Sequence, residues 1–262
     1  MTSLIDTSRR TIEAPLRAVG SFFAMCLDTF RAMGRRPLQW GEFFLQAWFL
    51  VRVALIPTLL VAIPFTVLVI FTLNILLVEF GAADLSGAGA GLGSVTQIGP
   101  LVTVLIVAGA GATAICADLG ARTIREEIDA MKVLGIDPIH RLVVPRVLAS
   151  TVVALLLNGL VISIGLVGGF FFSVYFQNVT PGAYVSSLTF VTGLPEVVIS
   201  MVKAGLFGIL AGLVACYRGL TVKGGPKSVG DAVNETVVYA FMALFAVNVV
   251  VTAIGVKFGT GS

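Results

Sequence analysis

Charged residues are scarce in this sequence of 262 residues, of which Asp, Glu, Lys and Arg together make up 12%. Soluble globular domains carry about twice that share of charge, and disordered chains are rich in charge and poor in apolar residues. Here 57% of the residues are hydrophobic and the mean hydropathy is +1.02. The composition therefore excludes both classes and predicts a polytopic membrane protein without a sizeable soluble domain.

Histidine and cysteine are also rare. There is one histidine, His140, and the three cysteines are Cys26, Cys116 and Cys216. An odd number of distant cysteines, each in or beside an apolar helical stretch, indicates buried reduced thiols rather than a disulfide or a metal site. The small net charge of +3 does not imply a nucleic-acid partner, and the N-terminus lacks the pattern of a removable signal peptide.

Five charge-poor stretches are long enough to cross a membrane as helices. Val53 to Val78, for example, contains no charged residue, and at about 1.5 Å per residue it exceeds the roughly 30 Å of the hydrocarbon core. The predicted transmembrane segments are 49–80, 95–117, 147–175, 197–217 and 237–256. The Gly-rich stretch 86–93 is predicted to be a flexible loop, and the uncharged but polar stretch 176–196 to be an external loop with a short surface helix.

The distribution of Lys and Arg orients these segments. Basic residues precede the first segment and follow the second and the fourth, whereas the loops 79–94 and 176–196 contain none. Because basic loops stay on the cytoplasmic side, the N-terminus is predicted to be cytoplasmic and the C-terminus external.

Two further stretches have the spacing of amphipathic helices. Residues 11–36 are predicted to lie in the membrane interface, which is favoured over a soluble helix packed on a partner. Residues 123–134 form a shorter pattern between segments two and three, with Ile124, Ile128, Met131 and Leu134 on one face. This helix could receive force from a soluble partner or simply cap the bundle, and the pattern leaves both readings open.

Few residues have the arrangement that chemistry requires. Glu126, Glu127 and Asp129 lack a matching His, Cys or acid, so a solvated or partner-facing charge set is favoured over a metal or catalytic cluster. The stretch 224–228 resembles a phosphate loop but has proline where glycine is needed, so no nucleotide is expected on this chain. Lys203, inside the fourth segment, either snorkels outward or contacts a lipid headgroup or carboxylate.

Several motifs carry a resemblance to a known family. They are Gly99-Pro100, AGAGATAICADLG at 108–120, REEIDAMKVLGIDP at 125–138, VVPR at 143–146, Lys203 with Phe207-Gly208, and CYRGL at 216–220 with the residues that follow it. In this order they resemble the MlaE/YrbE permeases, the membrane subunits of ABC-type lipid transporters that work with MCE proteins. The resemblance covers 1–262 as a single permease domain and is closest to the actinobacterial YrbE proteins.

The resemblance implies an all-α integral membrane fold, with an N-terminal interfacial helix, five transmembrane helices and a cytoplasmic coupling helix, in a bacterial inner membrane. It implies a second YrbE-type permease, which favours a heterodimer, and a cytoplasmic ABC ATPase dimer that holds the ATP and Mg²⁺. MCE proteins would bind on the external side, and no cofactor, metal or catalytic residue would belong to this chain. The expected function is the movement of a fatty acid, phospholipid or sterol between the inner membrane and an external MCE channel.

The resemblance also assigns residues to two sites. The ATPase-coupling residues would be Arg125, Glu126, Glu127, Ile128, Asp129, Ala130, Met131 and Leu134. The residues that line the lipid cavity would be Phe71, Asn74, Ile75, Gln97, Ile98, Leu101 and Lys203.

The sequence departs from the family pattern at four positions. Gln97 stands where many members have Glu, Ala110 where many have Arg, Glu127 where Gln is usual and Asp118 where Glu is usual. The lost carboxylate and arginine suggest a different headgroup or a partner that supplies the charge. Two alternative functions are an ion-coupled secondary carrier, which would need ionisable residues at mid-membrane, and a membrane scaffold without transport.

Overall fold

The computed structural model describes residues 2–35, 37 and 39–259, and the side chains of 17–35, 37, 39–190 and 192–254. Every regular element within these ranges is helical. The α-helices are α1 (Thr2–Met33), α2 (Trp40–Glu79), α3 (Ser86–Gly91), α4 (Gly99–Ile106), α5 (Thr113–Ile124), α6 (Glu127–Val133), α7 (Val144–Phe176), α8 (Pro181–Val191), α9 (Leu194–Leu220) and α10 (Pro226–Gly259). Three π-helical stretches join or precede them, at Leu92–Ile98, Val107–Ala112 and Ile139–Val143, and a 3-10 turn occupies Ala83–Leu85.

Five helical units are long and apolar enough to cross a membrane, as the sequence predicts. They are α2, the unit from Ala83 to Ile124 that contains α3, α4 and α5, the unit from Ile139 to Phe176, α9 and α10. Each is longer than the segment predicted from hydropathy and begins earlier, because the helix starts before the apolar core; only α2 ends sooner than predicted, at Glu79. We call the end that carries α6 and the loop between α9 and α10 the basic end, and the opposite end the far end.

The Gly-rich stretch at the start of the second span is not a flexible loop. Residues 86–91 form α3, which packs directly on α8. A Cβ atom on Gly87 would collide with the backbone of Tyr184, and one on Gly91 would collide with the Thr192 side chain. Glycine is a poor helix former in water, but in an apolar bundle small residues allow backbones to approach closely. Packing therefore decides the local structure here.

The short helix predicted between spans three and four is present as α8. Its first turn is capped by Thr180, whose hydroxyl accepts a hydrogen bond from the Ala183 N–H at 3.3 Å. Tyr184 is buried, and its hydroxyl donates to the carbonyl of Leu166 in α7 at 2.9 Å. Burial raises the pKa of Tyr184 to about 12, so the phenol keeps its proton and its hydrogen bond at neutral pH.

The centre of the bundle is the contact between α7 and its neighbours α2 and α9. The Ser150 hydroxyl of α7 donates to the carbonyl of Gly208 in α9 at 2.7 Å, and the Asn158 amide donates to the Ser200 hydroxyl at 3.0 Å. These bonds satisfy polar groups that no water could reach, which is what an apolar environment demands.

Helix α1 runs from Thr2 to Met33. It begins before the start of the predicted helix 11–36 and ends three residues before its predicted end. Phe22 packs edge-on against Tyr217 with ring centroids 5.4 Å apart, and Phe23 and Leu27 are exposed on the other side. An apolar face without protein cover fits a helix at a membrane surface. Its position in the interface stays a prediction.

The three cysteines are free, as predicted. Cys116 and Cys216 are buried in the bundle, whereas Cys26 in α1 is only half-buried and corrects the expectation of three buried thiols. Partial burial raises the pKa of the Cys26 thiol, so this group remains a neutral thiol at neutral pH.

The close contact of α9 with α7 generates a stability prediction. A Cβ atom on Gly208 would lie 2.5 Å from the Thr151 Cα and 2.6 Å from the Ser150 carbonyl oxygen, both in α7. Gly208→Ala should therefore lower the free energy of unfolding by about 1–3 kcal/mol, because two backbones must separate. The measurement is the thermal unfolding midpoint of the purified protein in detergent.

Gly205→Ala is the matched control, one turn away on the same helix. Its Cβ would meet only the Leu155 Cδ2 at 3.8 Å, an ordinary contact. This variant should keep the midpoint of the unchanged protein, and equal midpoints for the two variants would contradict the close helix contact.

Candidate functional site

The chain reverses direction at the basic end through a short helix, α6, between the second and third spans. Helix α5 ends at Ile124, and Glu126 adopts a left-handed backbone conformation with φ of 59°. The Glu126 N–H donates to the carbonyl of Thr123, and its own carbonyl accepts the N–H of Ala130, the first hydrogen bond of α6. Glu126 is therefore the corner between α5 and α6, and α6 ends before Gly135, whose φ is +74°.

The predicted helix 123–134 is thus wrong at its start. Residues 123 and 124 belong to α5, and the left-handed corner separates them from α6. The expected single apolar face is broken by the same corner. Ile128 is buried and Met131 is half-buried, but Leu134 is 74% exposed.

The outer end of α6 is apolar and uncovered. Val133 is 87% exposed, and Leu134 and Ile136 beside it are exposed as well. Ile128 is the buried residue of α6, and the half-buried Met131 packs against the same core. A short helix with one buried anchor and an exposed apolar end presents a surface that a soluble partner would cover.

The acidic residues of α6 are engaged in local ion pairs. The Glu127 carboxylate contacts the Arg125 Nε at 2.8 Å, and the Asp129 carboxylate contacts the Lys132 Nζ at 2.8 Å. Both pairs are largely exposed. Within the part of the chain that the structure describes, no group of three or more His, Cys, Asp or Glu side chains could hold a metal ion.

A chain of ion pairs connects α6 to three spans. Starting at α6, Glu127 lies 3.9 Å from Arg122 of α5, and Arg122 lies 3.4 Å from Asp118 of the same helix. The second Asp118 oxygen contacts the Arg146 Nη2 of α7 at 2.5 Å. The Arg146 Nη1 is 3.7 Å from Glu42 of α2. We call these five residues the ionic chain.

Arg146 is the centre of the ionic chain. Its side chain is fully buried, and it also donates to the carbonyl of Leu142 at 2.9 Å. The Glu42 oxygen that faces it accepts a further hydrogen bond from the Gln46 amide at 2.9 Å. A guanidinium keeps its charge at every accessible pH, and a buried unpaired charge costs several kcal/mol. Helices α2, α5 and α7 are therefore held together at the basic end by electrostatics as well as packing.

In the sequence, Arg146 counts among the basic residues that set the orientation and ends the VVPR motif, and neither predicts its ion pairs. The missed signal was the placement of opposite charges at matching depths. Asp118 closes one apolar span and Arg146 opens the next, which runs antiparallel to it, so the two must face each other at the same end of the bundle.

The residues predicted for the lipid cavity do not share one surface. Phe71, Ile75 and Gln97 are exposed on the outside of the bundle, and Leu101 is half-buried. Asn74 and Ile98 face the interior, where the Asn74 amide donates to the Ser173 hydroxyl at 3.0 Å. Their assignment to a lipid cavity stays a prediction.

Lys203 also lies inside the bundle. Its side chain is 4% exposed, and its Nζ donates to the Thr252 hydroxyl of α10 at 2.8 Å. The Thr252 hydroxyl in turn donates to the carbonyl of Asn248 at 2.6 Å. The side chain thus bridges α9 and α10 and does not snorkel towards the headgroups, which was one of the two readings left open.

Comparison with known proteins agrees with this architecture. The family model described as Permease MlaE matches residues 43–254. A probable ABC transporter permease protein of Synechocystis sp. is 31% identical over 181 residues, which cover 68% of this chain and 69% of that protein. The intermembrane phospholipid transport system permease protein MlaE of Haemophilus influenzae is 27% identical over 188 residues, 71% of each chain. A probable ABC transporter permease protein of Rickettsia typhi is 35% identical, and the match spans 60% of its length.

The ionic chain generates a prediction about stability. Asp118→Asn should lower the free energy of unfolding by about 1.5–3 kcal/mol, because it removes the charged hydrogen bond of a fully buried guanidinium. The measurement is the thermal unfolding midpoint in detergent at neutral pH.

Asp129→Asn is the matched control, because it removes the same carboxylate from an exposed pair with Lys132. An exposed ion pair contributes about 0–1 kcal/mol, so this midpoint should change little. The double variant Asp118→Asn with Arg146→Met should recover part of the lost stability. An Asp118→Asn protein as stable as the Asp129→Asn protein would contradict the role of the ionic chain.

Proposed function

Because the chain belongs to the MlaE permease family, we propose that it is the membrane subunit of an ABC-type transporter that moves lipid between the inner membrane and an external MCE protein channel. The observation that carries this proposal is α6, a short helix with an exposed apolar end that is tied through the ionic chain to three spans. Such a helix is suited to receive movement from a soluble subunit and to pass it into the membrane.

The energy source would be a separate cytoplasmic ATPase dimer. The stretch 224–228 lacks the glycine pattern of a phosphate loop, and it leads straight into α10 with no strand before it. The proposed docking site is α6, where Val133 and Leu134 would enter an apolar groove of the ATPase and Asp129 would meet basic residues around it. The acidic side chains of α6 have the charge that would complement basic residues around such a groove.

Movement of α6 would reach the spans through the ionic chain. Glu126 makes the junction between α5 and α6 a tight corner, so a shift of α6 would pull on α5, which carries Asp118 in its middle. Arg146 then couples α5 to α7, and Glu42 couples α7 to α2. A buried ion pair resists separation, so these three spans should move at the basic end as one body.

The lipid path would lie on the outward faces of the first and fifth spans. In the most apolar 18-residue stretch of each span, 11% of the residues are buried in α10 and 28% in α2, against 61% in the second span. Apolar faces of this size suit a second permease and a cavity for acyl chains between the two, where each buried CH₂ group contributes about 0.8 kcal/mol. Phe71 and Ile75 lie on such a face.

The proposed cargo is a phospholipid, and the name of the Haemophilus influenzae relative supports this class. Lys203 stands at the contact of α9 with α10, where an ammonium group could meet a phosphate once a rearrangement of α10 opens that contact. The basic end would face the cytoplasm, because Lys and Arg are concentrated there and the far-end loops carry none.

The first experiment tests the assembly and the cargo together. The tagged chain is purified from native membranes in mild detergent, and the bound proteins and lipids are identified by mass spectrometry. We expect an ABC ATPase, a second permease, MCE proteins and a retained phospholipid. If the chain comes alone from a preparation in which other membrane complexes survive, the transporter proposal is wrong.

A charge reversal on α6 tests the coupling. Asp129→Lys should reduce ATPase co-purification and ATP-driven lipid transfer in proteoliposomes at least about tenfold, since like charges placed at an interface cost several kcal/mol. The unfolding midpoint should not change, because Asp129 is 73% exposed and pairs only locally.

Asp84→Lys at the far end is the matched control, with the same reversal on an exposed residue of the 3-10 turn. It should keep the ATPase bound. Undiminished ATPase binding and transfer in Asp129→Lys would reject α6 as the docking helix.

A further inference from the structure

A groove opens on the side of the bundle at its basic end. It lies between α1, α9 and α10, has a volume of about 450 Å³, and is lined mainly by apolar side chains. Its apolar lining includes Val19, Phe22, Phe23, Val214, Tyr217 and Ala243. Phe23 and Val19 are exposed at its rim, so the groove is open towards the surroundings of the bundle. We call it the α1 groove.

A second, smaller cavity adjoins the α1 groove and is polar. It has a volume of about 160 Å³ and is formed by the start of α10 and the loop before it. Its lining includes the basic Lys223, the hydroxyl of Ser228 and the carboxylates of Asp231 and Glu235. We call it the loop pocket.

Arg218 lines both cavities and forms the boundary between them. Its guanidinium is paired with the Glu235 carboxylate and lies over the Tyr239 ring, 5.3 Å from the centroid. Its Nε is buried and has no hydrogen-bond acceptor. An orphaned buried donor on a cation is costly and favours an anionic acceptor at this position.

The two cavities match the two parts of one amphipathic molecule. An apolar groove that opens sideways into the bilayer accepts an acyl chain, and a polar pocket at the membrane surface accepts a headgroup. Lys223 lines the loop pocket and makes no ion pair with any other residue that the structure describes, and Arg218 with its orphaned N–H stands at the junction of the two cavities. The Ser228 hydroxyl donates to the carbonyl of Gly225, which leaves its oxygen free to accept.

We propose that the α1 groove and the loop pocket together bind one phospholipid of the leaflet at the basic end. The acyl chain lies in the groove, and the phosphate lies between Arg218 and Lys223. The carboxylates of Asp231 and Glu235 face the amine or hydroxyl groups of the headgroup. This site lies at the basic end, where α1, α9 and α10 meet, and binding to it requires neither the ATPase nor nucleotide.

Charge and shape favour a lipid over a second copy of the chain as the occupant. A helix from another protein would fill the groove but would bring no phosphate to the paired cations at its end. The site is also apolar at the groove and polar at the loop pocket, which matches the apolar tail and the polar head of a phospholipid.

The tail position is tested with phosphatidylethanolamine that carries a diazirine in its acyl chain. The full chain is reconstituted in phosphatidylcholine nanodiscs with a small share of this probe, irradiated and digested, and the crosslinked peptides are mapped. We expect crosslinks at 19–23 of α1 and 214–217 of α9. Ala243→Phe should reduce their yield about fivefold or more, because the added ring occupies the groove.

Ala246→Phe is the matched control, one turn further along α10 at an exposed position outside the groove. It should keep the crosslink yield. Equal yields in Ala243→Phe and Ala246→Phe, or no lipid crosslinks at 19–23 and 214–217 in the unchanged protein, would overturn the proposal.

The head position is tested with two lysines that lie close in the sequence, Lys223 in the loop before α10 and Lys227 in the first turn of α10. Lys223→Gln removes a cation that lines the loop pocket, whereas Lys227→Gln removes an exposed cation outside it. Loss of an exposed charge contact should lower the crosslink yield of the first variant about twofold to fivefold at low salt and leave the second unchanged. Equal yields in these two variants would overturn the placement of the phosphate. Because the chain is tested without ATPase or nucleotide, neither result depends on the transport proposal.

Discussion

A guanidinium without any solvent exposure sets the arrangement of this bundle at its basic end. Arg146 keeps its positive charge wherever it is placed, so the fold must supply anions inside an apolar bundle. Asp118 and Glu42 do so from two different helices, and the carbonyl of Leu142 takes a further N–H. Helices α2, α5 and α7 can therefore not slide past one another at this end without leaving a buried charge unpaired. The far end has a different construction, in which glycine contacts and a buried tyrosine hold α3, α7 and α8 together.

This electrostatic tie also explains how α6 can be exposed and yet ordered. A helix of seven residues is too short to be stable in water by itself. It is ordered here by the corner at Glu126, by the burial of Ile128 and by the link from Glu127 through Arg122 to the ionic chain. The parts of α6 that face the spans are fixed, and the parts that face away are free to bind. A helix with this division has the construction that the proposed coupling role requires.

The sequence predicts the five spans, a helix before the first span and a short helix between the second and third because each leaves a one-dimensional signal in hydropathy or periodicity. The interfacial position of the first of these helices and the cytoplasmic side of the second stay predictions. Prediction from the sequence fails where three-dimensional packing decides. Residues 86–91 have the composition of a loop, yet small side chains are what allows α3 to reach α8. The corner at Glu126 breaks a periodic pattern through a single backbone angle. Lys203 has a polar partner only because Thr252, far away in the sequence, faces it from α10. The pairing of Asp118 with Arg146 follows from antiparallel neighbours, and no local pattern contains it.

Arg146 and Arg218 both lie at the basic end, but they differ in burial and therefore in whether a ligand can reach them. Arg146 is sealed among α2, α5 and α7 and has carboxylates on two sides, so no ligand could reach it without opening the bundle. Arg218 is 24% exposed, and it stands where an apolar groove meets a polar pocket. Its partner Glu235 is half-exposed, so water can replace that contact at a small cost. The first arginine can therefore only hold helices, whereas the second can exchange its acceptor. In a chain whose surroundings are lipid, the acceptor that arrives together with an apolar chain is a phosphate headgroup.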